Sequence, residues 1–390
     1  MKLDLDQIKL ALAGVLAVAL ALGIGRFAYT PILPFMRESL GLTSSEAGLI
    51  ASWNYFGYLI GSLSILFPLF NYRLKLSFIS ACVISIASTG LISATVNFDL
   101  ICLSRFINGF CGAIVLISGT SLIFSKLENY TSLDLRLAHF SGFGLGMAVS
   151  SIGVIICSNL NIDWRGQWIF MLMICLIFFV PTIKFIPDQS ETTLQSKKII
   201  GKNNNLSFFL LCLGYACFGF GYIIYGTFIA DLIHKSDGLM GMENLAWLVA
   251  GIAAIPSAIF WQRIGALTSL DRSLLFSSVI SALGAILLLI IDNRAGILIS
   301  CFLYGFGIPG IVALTFLEGK RRYNGNVTAG IAILTTSFSV GQILGPYISG
   351  NIIDYYGNYF YAIFTSGIFL TFGGILMLSP SHLKKQNIKN

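Results

Sequence analysis

GIGRFAY at residues 23–29 returns as GFGYIIY at 219–225, and RFINGF at 105–110 returns as CFLYGF at 301–306. Both pairs lie the same 196 positions apart. Two unlinked matches at one offset mean that a single fold unit is written twice. The copies differ in charge at two places: the first carries Arg26 and Arg105 where the second carries Tyr222 and Cys301.

Only 11% of the residues are charged and 56% are hydrophobic, whereas an average soluble domain is about a quarter charged. Apolar runs of about 20 residues recur between short polar stretches, the pattern of membrane-spanning helices. A transmembrane β-barrel would alternate over segments of about ten residues instead. The runs predict helices at 9–36, 46–70, 75–95, 98–125, 135–158, 167–186, 206–232, 243–263, 273–291, 295–318, 325–351 and 357–379, six in each copy. The first run is too long for a cleaved signal and lacks a small-residue cleavage site, so it reads as a retained helix. The fold class is therefore an all-α integral membrane protein with twelve transmembrane helices in two pseudo-symmetric six-helix bundles. The bundles cover 1–186 and 206–390, the second ending in a short basic cytoplasmic tail. PDQSETTLQSKKIIGKNNN, within 187–205, is the cytoplasmic linker.

Counting Lys and Arg in the loops orients the chain. With both termini inside, about 18 of the 24 fall on the cytoplasmic side and about four outside, namely Arg37, Arg165, Lys235 and Arg294. The net charge of +7 is then a matter of topology, and nucleic acid is not an expected partner. The expected partners are the lipid bilayer, a small-molecule substrate and a co-transported or exchanged proton, with the protein acting as a monomer. All eight cysteines fall in or at the edge of spans, so no disulfide framework is expected. His139, His234 and His382 are far apart and have no Cys-x-x-Cys companions, so no metal site is expected. No cofactor or ATPase motif occurs.

Two parallel six-helix copies point to the major facilitator superfamily, whose halves rock about a shared central site. Within it, GIGRFAYTPILPFM (23–36), NYFGYLIGSL (54–63), SRFINGFCGAIVLISG (104–119), HFSGFGLGMAVSS (139–151), WLVAGIAAIPSAIFWQRIG (247–265) and FSVGQILGPYISG (338–350) resemble the YbfB/YjiJ family. That resemblance implies a secondary transporter of the inner membrane and no enzyme activity. One departure concerns the loop between helices 2 and 3. FNYRLKL (70–76) keeps Arg73 and Lys75 but lacks the acid and glycines usual there.

Arg26 and Arg105 fall at similar depth, roughly 15 Å and 10 Å from the outer helix ends at about 1.5 Å per residue. An unpaired arginine in mid-span costs about 2.5–3.5 kcal/mol on insertion scales, so both should face the bundle interior or a wet cavity. The spans offer almost no acids at that depth. A carboxylate or phosphate substrate would supply the counter-ion, which a guanidinium binds bidentately. Both arginines also have structural readings: Arg105 in a widespread helix 4 motif, and Arg26 as a donor to carbonyls freed near Pro31 and Pro34.

Polar residues at helical spacing complete the candidate substrate site. They are Arg26 and Tyr29, Asn54 and Tyr58, Arg105 and Asn108, then Tyr222, Tyr225, Tyr304 and Gln342. Any one of them could equally bridge neighbouring helices. Gly142, Gly146, Gly341, Gly345 and Pro346 are read as helix-packing or hinge positions between the halves. Coupling candidates are His139, Asp231 with Lys235 as partner, and Glu318, which Arg321 or Arg322 would compensate. Helices 3, 6, 9 and 12 lack polar faces and read as lipid-facing scaffold. The leading function is secondary transport of a small organic solute, leaning to an anion, by alternating access. Proton-driven drug or metabolite efflux is the alternative, and a sensor or embedded enzyme is remote.

Overall fold

The computed structural model describes residues 5–65, 67, 70, 73–127, 137–187, 205–236, 239, 241–291, 293–323 and 327–378. The expected linker at 187–205 and the basic tail lie almost wholly outside the described residues. The described chain is all helical, and its twelve helices follow the expected order. They are α1 Leu5–Leu40, α2 Ser44–Ser64, α3 Leu74–Ser93, α4 Phe98–Leu127, α5 Ala138–Asn159, α6 Trp164–Phe185, α7 Asn205–Lys235, α8 Glu243–Leu267, α9 Leu270–Ile290, α10 Arg294–Arg322, α11 Val327–Tyr356 and α12 Phe360–Leu376. Ten are long and apolar enough to cross a membrane. α12 is short, and α2 is diluted by Ser, Asn and Tyr. Those polar residues cost little because α2 is wedged between α4 and α11 instead of facing lipid.

The helix ends follow local rules. Thr43 and Glu46 form the expected capping box at α2, Glu46 N donating to Thr43 Oγ1 at 3.1 Å and Thr43 N to Glu46 Oε2 at 2.8 Å. Gly41, in the left-handed region, closes α1 by donating to the Arg37 carbonyl. α1 and α7 run several residues past their apolar stretches. Arg37 and Lys235, expected in outer loops, are therefore helical. α2 stops at Ser64 instead of near residue 70, because the chain approaches Pro68, which disfavours helix in the residue before it.

The duplication is visible in the packing. In the first half Gly109 of α4 lies so close to the Asn54 carbonyl of α2 that no Cβ fits; in the second, Gly305 meets the Ala250 carbonyl the same way. Both pairs are related by the 196-residue offset. The halves meet through α2 against α11 and α5 against α8, again equivalent pairs. α6 is the barest scaffold helix, with only 22% of its apolar window buried against 78% for α1. Large apolar side chains such as Ile177 of α6, Leu283 of α9 and Phe372 of α12 point outward.

One element departs from the expected plain helix. α1 is α-helical over Leu5–Val18, widens to a π-helix over Ala19–Ile24, turns through 25–28 and resumes at Tyr29. Pro31 has no N–H to offer the Phe27 carbonyl, so Thr30 N bonds there instead at 3.2 Å. That shift leaves the Arg26 carbonyl without its regular partner.

Candidate functional site

Arg105 fills the vacancy. Its Nη1 donates to Gly25 O at 2.7 Å and its Nη2 to Arg26 O at 3.0 Å, and its guanidinium lies 5.0 Å from the Tyr29 ring centre. It is wholly buried and committed to the backbone of the break. Other expected site residues hold helices together. Tyr29 donates to Ala47 O at 2.9 Å and Asn54 Nδ2 to Arg105 O at 2.9 Å. Asn108 Oδ1 accepts from Ser85 at 3.0 Å and from Thr89 at 3.2 Å. Tyr225 bonds Ser300 and Cys301 and stacks on Tyr304, which donates to Tyr222 O at 2.6 Å.

Arg26, Tyr58 and Tyr222 converge on a central cavity between the halves. The rest of its wall is apolar: Phe27, Phe143 and Phe338 with Leu116, Ile308, Pro309 and Val312. The cavity is narrow; the 320 Å³ of non-atom space around it includes packing interstices and open solvent. Arg26 is 3% exposed, and its Nε and Nη2 have no hydrogen-bond partner. Its guanidinium lies 4.2 Å from the Tyr58 ring centre and 5.0 Å from that of Tyr55, within cation–π reach of both. The Tyr222 hydroxyl lies beside it and accepts from Gln342 Nε2. Among the described residues no acid lines the cavity. The apolar wall residues carry no polar spacing that would mark them in the sequence; only Pro309, a proline inside α10, stands out as a residue type.

The packing glycines divide into two sets. Gly142 and Gly146 let α5 touch α1, and Gly341 and Gly345 let α11 touch α7, all within one half. Of the expected positions, Pro346 lies at the contact between the halves, together with other glycines. Gly144 meets Gly251, Gly48 meets the Pro346 carbonyl, and Gly350 meets Ser44.

Polar contacts between halves gather at the end where α1 passes into α2. Thr30 Oγ1 donates to Gly226 O at 2.5 Å. Arg37 pairs with Asp231, which also accepts from Tyr359 and has Lys235 at 3.7 Å. Burial, with the Asp231 carboxylate next in effect, pushes the Tyr359 phenol above its usual range. His234 bridges Glu38 at 2.8 Å and Glu243 at 3.1 Å. Asp354 accepts from the backbone of Ser44 and Ser45 at 3.1 and 2.8 Å, capping α2 from the other half. At the opposite end Ser141 donates to Ile255 O at 2.6 Å.

The remaining candidates are placed as follows. His139 Nε2 lies 3.0 Å from Thr120 Oγ1, away from the cavity wall. Glu318 is paired by both Arg321 at 2.6 Å and Arg322 at 2.7 Å.

The family model described as "Uncharacterised MFS-type transporter YbfB" matches residues 18–378, most of the chain. The chain belongs to this family of major facilitator transporters. It is thus a multi-pass membrane transporter of solutes and not an enzyme. It is 22% identical to the uncharacterized MFS-type transporter YfhI of Bacillus subtilis, over 99% of this chain and 97% of that one. It is 23% identical to the Hexuronate transporter of the same organism, over 91% and 89% respectively. Its fold superposes on the nucleoside transporter NupG with a TM-score of 0.70, at 15% identity and over 96% and 98% of the two chains.

Proposed function

We propose that this transporter carries a small organic anion and that Arg26 is the group that binds it. The observation behind this reading is the pair of unpartnered N–H groups on a buried guanidinium that lines the cavity between the halves. A buried cation without a counter-ion is costly, and an anion that fills and leaves the cavity would supply one in every cycle. Arg105 is proposed as structural, because both of its Nη groups are already engaged.

The Lys and Arg asymmetry of the loops supports a plasma (inner) membrane location with both termini cytoplasmic. The bonded end of the halves would then face outside, and the conformation would be outward-closed. Alternating access would consist of breaking the Arg37–Asp231, Glu38–His234 and Ser45–Asp354 links while the α5–α8 end closes further. The protein is proposed to work as a monomer, each chain holding both halves around its own cavity.

The test is uptake into proteoliposomes from a mixed metabolite panel, with wild type and Arg26→Ala. Anions are expected to dominate uptake, and losing a charge-assisted bond worth about 1.5–3 kcal/mol should cut it by about tenfold or more. Uptake restricted to neutral or cationic compounds, and unchanged in Arg26→Ala, would refute the proposal.

A further inference from the structure

The unpartnered atoms of Arg26 are Nε and Nη2, which share one edge of the planar guanidinium. Two parallel donors on one edge match the two oxygens of a single carboxylate. The Tyr58 ring, 4.2 Å from the guanidinium carbon, holds the group in place by cation–π attraction. Among the described residues no second cation lines the cavity, and both Nη groups of Arg105, which lies outside the wall, are engaged by carbonyls. One bidentate cation compensates one negative charge, so a phosphate monoester dianion would carry uncompensated charge into an apolar space.

Beyond the guanidinium, the wall offers only the Tyr58 and Tyr222 hydroxyls, and the Tyr222 hydroxyl already accepts from Gln342. The substrate's body would face Phe27, Phe143, Phe338, Leu116 and Val312. The Phe338 and Tyr222 rings are parallel within 6° at 5.5 Å, and the ladder continues to Tyr215 and Phe218. Such a surface suits a flat apolar group. Two tyrosine hydroxyls cannot satisfy all the hydroxyls of a sugar acid, and each one left over would lose its water bonds at a cost of about 1–3 kcal/mol.

We infer that the cargo is a monocarboxylate with an apolar, preferably aromatic body, of the benzoate or phenylacetate type, and not a polyhydroxylated acid or phosphate ester. This inference rests on the anion reading of Arg26 and narrows it. It also separates the chain from a relative named for hexuronates, with which it shares 23% of its residues.

The experiment is equilibrium binding of radiolabelled phenylacetate to the purified full chain, with competition by benzoate, phenylacetamide, glucuronate and phenyl phosphate, followed by proteoliposome uptake of the same label. Phenylacetate should bind and be taken up, benzoate should compete, and glucuronate and the neutral amide should each be weaker by roughly 100-fold or more. Arg26→Lys should lose most of the binding, since an ammonium cannot present the fork. Phe338→Leu should weaken phenylacetate binding several-fold. Arg26-dependent binding of glucuronate or phenyl phosphate, without arylcarboxylate binding, overturns this inference and leaves the anion reading standing. Equal competition by phenylacetamide and phenylacetate overturns both. Absence of phenylacetate binding by a monodisperse, thermally stable preparation overturns the aromatic-carboxylate assignment.

Discussion

Replacing Arg105 with methionine should damage the fold and spare the chemistry of binding. The side chain caps the Gly25 and Arg26 carbonyls at 2.7 and 3.0 Å in a wholly buried setting. Methionine fills similar space and removes the cost of burying a charge, but it leaves two buried carbonyls orphaned. At about 1–3 kcal/mol for each orphaned group, the loss comes to about 2–6 kcal/mol. For a bundle of this size each kcal/mol is worth about 2–4 °C, so the melting temperature should fall by around 10 °C. A thiol-reactive fluorophore can follow unfolding directly, because all eight cysteines are buried. Arg105→Lys should lie between wild type and methionine, since one ammonium does not span both carbonyls. The protein that remains folded should bind its anion with nearly unchanged affinity. An unchanged melting temperature together with lost binding would refute the structural role and return Arg105 to the substrate site.

Two further outcomes follow from the packing. Asp231→Asn leaves Arg37 without its carboxylate at the bonded end. A weakening of about 1.4 kcal/mol would raise the open population about tenfold, read as faster labelling by a membrane-impermeant maleimide of a cysteine introduced at Phe35; an unchanged rate would show that this pair does not hold the end shut. Gly109→Ala and Gly305→Ala should each abolish a monodisperse peak in size-exclusion chromatography, because each puts a Cβ onto a facing carbonyl; a well-behaved variant at either position would contradict the close crossing described there.

Much of this architecture is legible in the sequence because the membrane makes hydropathy decisive: backbone groups must be satisfied within helices, and apolar runs then mark the spans. The capping box at Thr43 and Glu46 is readable for a similar reason, being wholly local. What escapes is whatever depends on distant chain segments or on plain apolar residues. ALALGI at 19–24 has no signature that separates a π-helix from an α-helix. Local spacing pairs Asp231 with Lys235, four residues on, while its closer partner Arg37 lies 194 positions away. Polar periodicity found Arg26, Tyr58 and Tyr222 but passed over Phe143 and Phe338, whose wall position depends on the tilt of α5 and α11. The same periodicity singled out Asn54 and Asn108, whose side chains bridge α2, α3 and α4.

The two mismatches between the copies now have separate physical causes. Arg26 and Tyr222 are equivalent positions, and both line the same cavity, as do their equivalent neighbours Leu116 and Val312. Thr30 touches Gly226 and Glu38 touches His234, also at the repeat offset. The pseudo-two-fold axis therefore runs beside α1 and α7 and through the cavity. A position near its own symmetry mate cannot carry arginine in both copies, because two guanidinium groups would confront each other in a space without acids. Divergence at 26 and 222 yields one cation and one hydroxyl, enough for one carboxylate. Arg105 and Cys301 diverge for a backbone reason. α1 carries Pro31, is broken and frees carbonyls that Arg105 caps, whereas α7 has Thr227 at the equivalent place and runs unbroken from Asn205 to Lys235. With no carbonyl to cap, Cys301 needs only to meet the hydroxyl of Tyr225, the equivalent of the Tyr29 beneath Arg105. Restoring arginine at 301 should thus bury a charge that has nothing to hold, and the cost would measure how far the second copy has departed from the first.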